Sequence, residues 1–186
     1  MNASHHASAL PGQGTNIRQM VMAALFAALL AVFSQIQIPM VPVPINLGLL
    51  AVYLCALVLE PRWALISVGL FLGMGAVGLP VFAGFKGGPA ALFGATGGYL
   101  LGYVFSAGLI AALRERADTL PKRLALLLCG MLACYIPGTL WLMLLTGRTA
   151  AEALPLAVYP FLPGDAVKII IAALAAPRLS EALKRA

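Results

Sequence analysis

Two ionisable residues, Asp165 and Lys168, stand three positions apart just before the apolar run Ile169 to Ala176. On a helix this spacing places both side chains on one face. Gly164 precedes them as a predicted helix break or cap, and a carboxylate in the first turn is favoured by the positive end of the helix dipole. Ionisable residues inside a membrane segment cost about 2.5–3.5 kcal/mol each and usually have a function. The pair therefore predicts a pocket that accepts N–H donors from a neutral ring. The alternative is an ion pair that only fixes packing or lies at the outer end of a span.

The sequence offers little else for chemistry. Asp165 is the only acidic residue predicted to lie in the outer half of a membrane and away from a charged loop. A single carboxylate argues against a general acid and base pair and against a metal cluster. The P-loop, HExxH and GxSxG patterns are also absent from the sequence. The chain is therefore predicted not to be an enzyme and to need no cofactor, so any ATP that drives it would be used by other subunits.

Two glycine-rich segments, Gly84 to Gly88 and Gly94 to Tyr99, flank the start of one apolar run. Closely spaced glycines let a backbone approach either a ligand or another helix, and both interpretations stay open. Lys86 lies within the first segment. It is placed either to meet a substrate carboxylate or to remain a solvated loop lysine.

The composition indicates an integral membrane protein. Hydrophobic residues make up 62% of the chain, charged residues 10%, and the mean hydropathy is +0.98. Soluble proteins average about 45–50% apolar and about 25% charged residues. The basic residues lack the aromatic interleaving of a nucleic-acid surface, so nucleic acid is not an expected partner. Six apolar runs predict six transmembrane helices, an all-α fold: 19–38, 46–59, 63–81, 89–113, 124–145 and 151–177.

Lysine and arginine positions orient these spans, because basic residues accumulate on the cytoplasmic side. With the N-terminus inside, the cytoplasmic set is Arg18, Arg62, Arg114, Arg116, Lys122, Arg123, Arg178, Lys184 and Arg185. The outer set is only Lys86 and Arg148, and Lys168 belongs to a span. The outer connections are instead rich in proline and glycine. Irregular backbone persists at membrane depth only where it lines a protein-enclosed cavity. Both termini are therefore predicted to be cytoplasmic, with a ligand pocket in the outer half.

The first span carries a stripe of small residues. Ala23, Ala27 and Ala31 recur at four-residue spacing, with Ala24 and Ala28 beside them. Small residues at this spacing permit close helix contact. The stripe predicts a docking face for another membrane subunit, with internal packing as the equal alternative. The polar residues 1–17 before this span form a predicted flexible tail, and 18–186 form a single membrane domain.

Five segments, taken in order, carry a family resemblance: Ile38 to Ile45, Glu60 to Arg62, Gly75 to Gly84, Gly94 to Gly102, and Pro160 to Asp165 with Lys168 three residues on. Together they resemble the BioY family, the biotin-binding S components of energy-coupling-factor (ECF) vitamin transporters. The resemblance covers about residues 18–179.

The resemblance implies a six-helix S component of the bacterial plasma membrane, in which Asp165 and Lys168 contact biotin from an outward-facing pocket. It implies further substrate contacts at Gly84, Lys86, Gly98, Tyr99 and Asn46. Lys86 replaces a residue that is usually small or polar, and Asn46 stands where the family has threonine, so these two contacts are expected to differ. The implied partners are a membrane coupling protein and cytosolic ABC ATPases.

Three classes of function follow from the sequence. The first is high-affinity uptake of biotin, or of a different small vitamin, by a substrate-binding subunit that docks with a coupling protein and ATPases. The second is a stand-alone carrier, although no inverted repeat is apparent. The third, an intramembrane enzyme, is disfavoured because nucleophile and metal motifs are missing.

Overall fold

A computed structural model describes residues 13–185, and within that range the chain forms eight α-helices, one 3₁₀ turn and one two-stranded hairpin. The predicted polar tail of residues 1–17 lies mostly outside the described residues, and from residue 13 onward it belongs to the first helix. The helices and strands are α1 (Gln13–Gln35), β1 (Gln37–Ile38), β2 (Ile45–Asn46), α2 (Gly48–Val58), α3 (Pro61–Ala76), α4 (Pro89–Leu92), α5 (Gly97–Leu113), α6 (Leu120–Thr146), α7 (Ala150–Ala157) and α8 (Leu162–Arg185). The 3₁₀ turn, Arg114–Arg116, follows α5 directly.

Within residues 13–185, three helices are long and apolar enough to cross a membrane by themselves: Ile17–Gln35 of α1, Gly97–Arg116 including the 3₁₀ turn, and Leu120–Thr146 of α6. A fourth span is possible if α7 and α8, bent by 56°, are counted together. The apolar helices α2 and α3 have only 11 and 16 residues, fewer than the roughly 20 that a straight crossing needs. The all-helical membrane architecture agrees with the sequence, whereas the count of six spans stays a prediction.

Local sequence sets where several helices begin and end. Pro61 takes the first position of α3, where its missing N–H removes no helical hydrogen bond. Gly147 closes α6 in the left-handed conformation, with φ of 68°. The start of α7 carries a capping box, in which Thr149 and Glu152 exchange backbone and side-chain hydrogen bonds. These connections between helices are therefore short and defined.

The predicted run 89–113 is two helices rather than one. It divides into α4 and α5 around residues 93–96. There, the carbonyl oxygen of Gly94 accepts a 3.0 Å hydrogen bond from Trp141 Nε1 of α6. This long-range contact stabilises a non-helical segment that the local apolar pattern does not reveal.

The predicted helix break at Gly164 is wrong. Helix α8 begins at Leu162, and the Asp165 N–H already donates to the Phe161 carbonyl at 2.8 Å, as in a helix. Pro163 is tolerated because the first N–H groups of a helix have no intrahelical partners. The break lies instead between the end of α7 and the start of α8. Asp165 is nevertheless in the first turn, as predicted.

Helices α5 and α6 pack closely through glycines. A Cβ atom on Gly102 would lie 2.5 Å from the carbonyl oxygen of Cys134, and one on Gly98 would lie 2.2 Å from Trp141 Cβ. Real Cβ atoms do not approach that closely, so the two backbones meet at these positions only because both residues lack a side chain. This pair of helices forms one closely packed side of the molecule.

The alanine stripe of α1 points largely inward. Ala23 and Ala27 are 1% and 2% exposed within the chain's own core, and Ala31 is partly buried, whereas Ala24 and Ala28 are exposed. A surface that packs internally is not free to dock a subunit in this conformation. The burial favours the internal-packing alternative for Ala23 and Ala27, and the docking role of Ala23, Ala27 and Ala31 stays a prediction.

The two ends of the helix bundle differ in chemistry. At one end lie the hairpin, the loop after α3 and the bend between α7 and α8. At the other end, arginine side chains donate hydrogen bonds to backbone carbonyl oxygens. Arg114 donates to the Val58 carbonyl at 3.0 Å, and Arg123 donates to the Ala173 carbonyl at 2.9 Å. Pro177 has no N–H for that second carbonyl, so the guanidinium replaces the missing helical donor.

Candidate ligand site

A cavity lies at the end of the bundle that carries the hairpin and the proline- and glycine-rich connections. It holds about 760 Å³ not filled by protein atoms, a volume that includes space open to solvent. Its walls come from α1, the hairpin, the start of α2, the loop after α3, α4, α5, α6 and α8. The polar and aromatic lining residues are Ser34, Asn46, Phe82, Lys86, Thr96, Tyr99, Tyr103, Tyr135, Phe161, Asp165 and Lys168.

Asp165 and Lys168 form a buried ion pair in this cavity. The two residues are 3% and 5% exposed. Lys168 Nζ lies 2.5 Å from Asp165 Oδ1, and the hydroxyl of Tyr135 donates to Asp165 Oδ2. Each carboxylate oxygen has about two acceptor positions. The carboxylate can therefore accept one further N–H donor at each oxygen while it keeps both protein partners.

Three aromatic rings lie together in the cavity wall, and one of them, Tyr135, contacts the carboxylate. Tyr99, Tyr135 and Phe161 have ring centroids 6.4–6.5 Å apart, with edge-on or tilted planes. The Tyr99 hydroxyl donates to the Ala157 carbonyl at 2.8 Å and lies 3.3 Å from Thr139 Oγ1. These bonds fix the Tyr99 ring between α5, α6 and α7. The cavity thus combines one charged pair with apolar ring faces, a combination that suits a compact, mostly apolar ligand with one polar group.

Asn46 lines the cavity from β2. Its side-chain oxygen accepts hydrogen bonds from the Gly48 N–H at 2.8 Å and from the Tyr103 hydroxyl at 3.2 Å. Both bonds use the oxygen, and within residues 13–185 no protein acceptor takes the two N–H donors of the amide. Asn46 is therefore held in place by its neighbours and can still donate to a ligand.

The loop after α3, residues 82–86, forms part of the cavity wall. Phe82 and Lys86 pair through two backbone hydrogen bonds of 3.0 and 3.2 Å, which close the loop on itself. The Phe82 ring is buried against Phe71, with centroids 5.3 Å apart. Lys86 lines the cavity but is exposed. Its ammonium group is therefore available at the mouth of the cavity and not at its base.

Five of the predicted substrate residues line this one cavity: Asn46, Lys86, Tyr99, Asp165 and Lys168. Two do not. Gly98 is packed against α6, as the packing alternative expected. Gly84 is exposed at the tip of the loop, where its φ of 74° favours glycine for the turn itself. The site roles of all seven residues stay predictions, and for these two glycines the observed reason for glycine is structural.

Several lining residues were not predicted from the sequence. Tyr135 matters most, because it donates to the Asp165 carboxylate from a helix 30 positions away in sequence. Tyr103 and Phe161 complete the aromatic wall. A tyrosine in the middle of an apolar run is a weak signal that a buried hydroxyl needs a partner. Nothing in the sequence identifies that partner.

Comparison with known proteins agrees with the geometry. The family model for the BioY family matches residues 4–185. The biotin transporter BioY of Thermotoga maritima is 37% identical over 165 residues, which cover 89% of this chain and 97% of that protein. The probable biotin transporter BioY of Pyrococcus horikoshii is 36% identical over 162 residues, or 87% and 96% of the two chains. These relatives are transporters and not enzymes, which confirms the non-enzymatic expectation.

A solved structure shares the fold. The crystal structure of the S-component for biotin from an ECF-type ABC transporter superposes with a TM-score of 0.83 and 27% identity, over 91% of this chain and 94% of the other. The S-component-like helical architecture expected from the resemblance is thereby confirmed. On the family match and the relatives together, the chain belongs to the BioY family.

Proposed function

We propose that this chain binds biotin in the cavity around Asp165 and mediates its uptake as the substrate-specific subunit of an ECF-type transporter. The observation that carries the proposal is the buried Asp165 carboxylate, held by Lys168 and Tyr135 among aromatic rings. The names of the relatives and of the solved S-component support the same ligand.

The chemistry of biotin suits this arrangement. Its ureido group has two N–H donors and one carbonyl acceptor, and its fused rings and valeryl chain are apolar. Asp165 accepts from the N–H groups, and Lys168 or Asn46 donates to the carbonyl. The rings of Tyr99 and Phe161 cover the apolar part, and Lys86 at the mouth faces the valeryl carboxylate. A buried polar group without a partner costs about 1–3 kcal/mol, so each unmet ureido contact is expected to lower affinity strongly.

Binding of tritiated biotin to the purified chain tests the proposal. Unlabelled biotin is expected to compete, whereas biotin methylated on both ureido nitrogens is not, because it offers Asp165 no N–H donor. Equal competition by the methylated compound would remove the ureido–Asp165 contact from the proposal. Absence of any biotin binding, together with binding of a different small vitamin, would reassign the ligand.

We place the chain in the bacterial plasma membrane as six spans with both termini in the cytoplasm. The arginine-rich end of the bundle supports this orientation through the positive-inside rule. A membrane coupling protein and cytosolic ATPases complete the transporter, and ATP is used only by those partners. Cysteine accessibility tests the topology. A cysteine in place of Lys86 is expected to react with an impermeant reagent added outside cells, and one in place of Arg116 is not; the reverse result would invert the orientation.

If α1 docks with the coupling protein, its accessible small residues are Ala24 and Ala28, since Ala23 and Ala27 are buried. The paired change Ala24→Leu with Ala28→Leu is expected to abolish co-purification with the coupling protein and to preserve biotin binding. The matched change Ala23→Leu with Ala27→Leu is expected to lower thermal stability instead. Undiminished co-purification of the first variant would place docking elsewhere.

Vesicle uptake separates the subunit role from the stand-alone carrier. Vesicles that contain the chain alone are expected to bind biotin without accumulating it, and addition of the coupling protein and ATPases with ATP is expected to start accumulation. Sustained uptake by the chain alone would favour the carrier.

A further inference from the structure

Gln35, the last residue of α1, is attached to the loop that forms the cavity wall. Its Nε2 donates to the carbonyl oxygens of Val81 and Phe82 at 2.9 and 3.1 Å. Its Oε1 accepts from the Phe85 N–H at 2.9 Å. One side-chain amide thus meets three backbone groups of one loop, using both its donor and its acceptor.

These bonds are the main polar attachment between α1 and the loop. The loop closes on itself through Phe82 and Lys86, and its other described anchors are the buried Phe82 ring and the Gly88 N–H, which donates to the Gly75 carbonyl at 2.6 Å. Both of those anchors lead to α3. At the tip, Phe85 is 73% exposed and has a positive φ of 56°. For a bulky residue this conformation is unfavourable and persists only when surrounding bonds hold it.

The position of Gln35 links two walls of the cavity. The hairpin that carries Asn46 begins two residues later, at Gln37, and the loop contributes Phe82, Ala83 and Lys86 to the lining. A change in the Gln35 bonds therefore moves the loop relative to α1 and the hairpin. It leaves the Asp165 end of the cavity, on α6 and α8, in place.

We propose that Gln35 is a positioning residue for ligand retention: its amide ties loop 82–86 to the end of α1 and so holds Phe82, Ala83 and Lys86 against a ligand bound at Asp165. It does not itself line the cavity. The inference rests on the proposed function for its ligand, biotin, whereas the tether between Gln35 and the loop is a property of the unliganded chain.

The experiment compares Gln35→Leu with wild type and with the matched control Gln19→Leu. Gln19 is on the same helix, 16 residues away and therefore about 24 Å along the axis, at the end remote from the cavity. Two quantities are measured: hydrogen–deuterium exchange of the loop amides in the unliganded protein, and the dissociation and association rates of tritiated biotin. A second variant, Gln35→Glu, keeps an acceptor for Phe85 but turns a carboxylate toward two carbonyl oxygens.

For Gln35→Leu we expect two rates to increase on the order of tenfold or more: hydrogen–deuterium exchange at the loop amides and dissociation of biotin. The reason is the loss of up to three hydrogen bonds between α1 and the loop. Association is expected to change by less than about threefold, because the Asp165 end is intact and rates within one interface vary mainly in dissociation. Gln35→Glu is expected to accelerate dissociation as well. The Gln19→Leu control is expected to match wild type in both measurements.

A residue that only terminates α1 would lower the melting temperature without changing the ratio of dissociation to association rates. Loop exchange or biotin dissociation equal to that of the Gln19→Leu control would each overturn the proposal. Failure of the wild-type chain to bind biotin would instead defeat the proposed function. In that case, the exchange measurement on the unliganded protein still decides whether Gln35 tethers the loop.

Discussion

Replacement of Asp165 by Asn is the sharpest single perturbation of the cavity, because the amide keeps the shape of the carboxylate and loses its charge. The native carboxylate accepts from Lys168 Nζ at 2.5 Å and from the Tyr135 hydroxyl. An amide has one acceptor oxygen in place of two, and its nitrogen cannot accept from a ureido N–H. A hydrogen bond to a charged group contributes about 1.5–3 kcal/mol, and each 1.4 kcal/mol is about tenfold in affinity. We therefore expect biotin affinity to fall about tenfold to 150-fold.

A second effect of the same change has to be separated from the first. Lys168 is only 5% exposed, and removal of one partner of a buried ion pair destabilises a fold by about 3–5 kcal/mol. Asp165→Asn alone is therefore expected to lower thermal stability as well as affinity. In the double variant Asp165→Asn with Lys168→Met, both charges are gone, and apolar replacement of a buried pair is frequently neutral. Stability is expected to recover in the double variant, and biotin affinity is not.

The assay is equilibrium binding of tritiated biotin, with thermal unfolding measured on the same three preparations. Recovery of wild-type affinity in the double variant would show that the single variant failed through an unpaired lysine and not through a lost ligand contact. Unchanged affinity in Asp165→Asn would refute the reasoning directly, because no acceptor role for the carboxylate would remain.

Three further predictions concern the surroundings of the site and the scaffold. Tyr135→Phe removes one donor to the carboxylate, and equilibrium binding is expected to show about a tenfold loss of biotin affinity with the fold retained; equal affinity would exclude the hydroxyl. Gly102→Ala is expected to destabilise the chain by about 1–3 kcal/mol through overpacking against Cys134, whereas the control Gly108→Ala, whose Cβ would have only one neighbour at 3.5 Å, is expected to be neutral or stabilising in thermal unfolding. Asp118 lies just before α6, and a hydrogen bond from Lys122 lowers the pKa of its carboxyl group. The stabilisation of the fold by this bond is therefore present above the ordinary carboxyl range and lost as the pH falls through the folded-state pKa. Asp118→Asn should remove this small dependence of the melting temperature on pH in the acid range.

The sequence predicts the membrane class and the position of most helices, because long apolar runs report burial in lipid regardless of tertiary detail. It does not predict which face of a helix points inward. In α1, five alanines between Ala23 and Ala31 occupy two adjacent rows, so small-residue spacing fits either row equally well. The neighbouring helices decide between the rows, and they bury Ala23 and Ala27 and expose Ala24 and Ala28.

In the site, too, some residues can be predicted from the sequence and others cannot. Asp165 and Lys168 are identified from local spacing, because a charge within an apolar run is rare enough to be informative by itself. Tyr135 is not identified in this way. Its role depends on a contact between α6 and α8 that brings it to Asp165, 30 residues away in sequence. For Gly98 the sequence leaves two interpretations open, because glycine permits both ligand approach and close packing. The contact with Trp141 accounts for the packing, and a role in ligand binding stays a prediction.

We expect the Asp165–Lys168 pair to serve ligand binding more than stabilisation of the fold. Removal of two charges from water costs several kcal/mol per ion, and the attraction between them repays this only when their remaining hydrogen-bonding positions are filled. Among the residues that the structure describes, these two are the only buried side chains of the charged types, and both line the cavity. Because both residues line the cavity, we expect a ligand with its own N–H donors and carbonyl to fill the hydrogen-bonding positions that the pair has left.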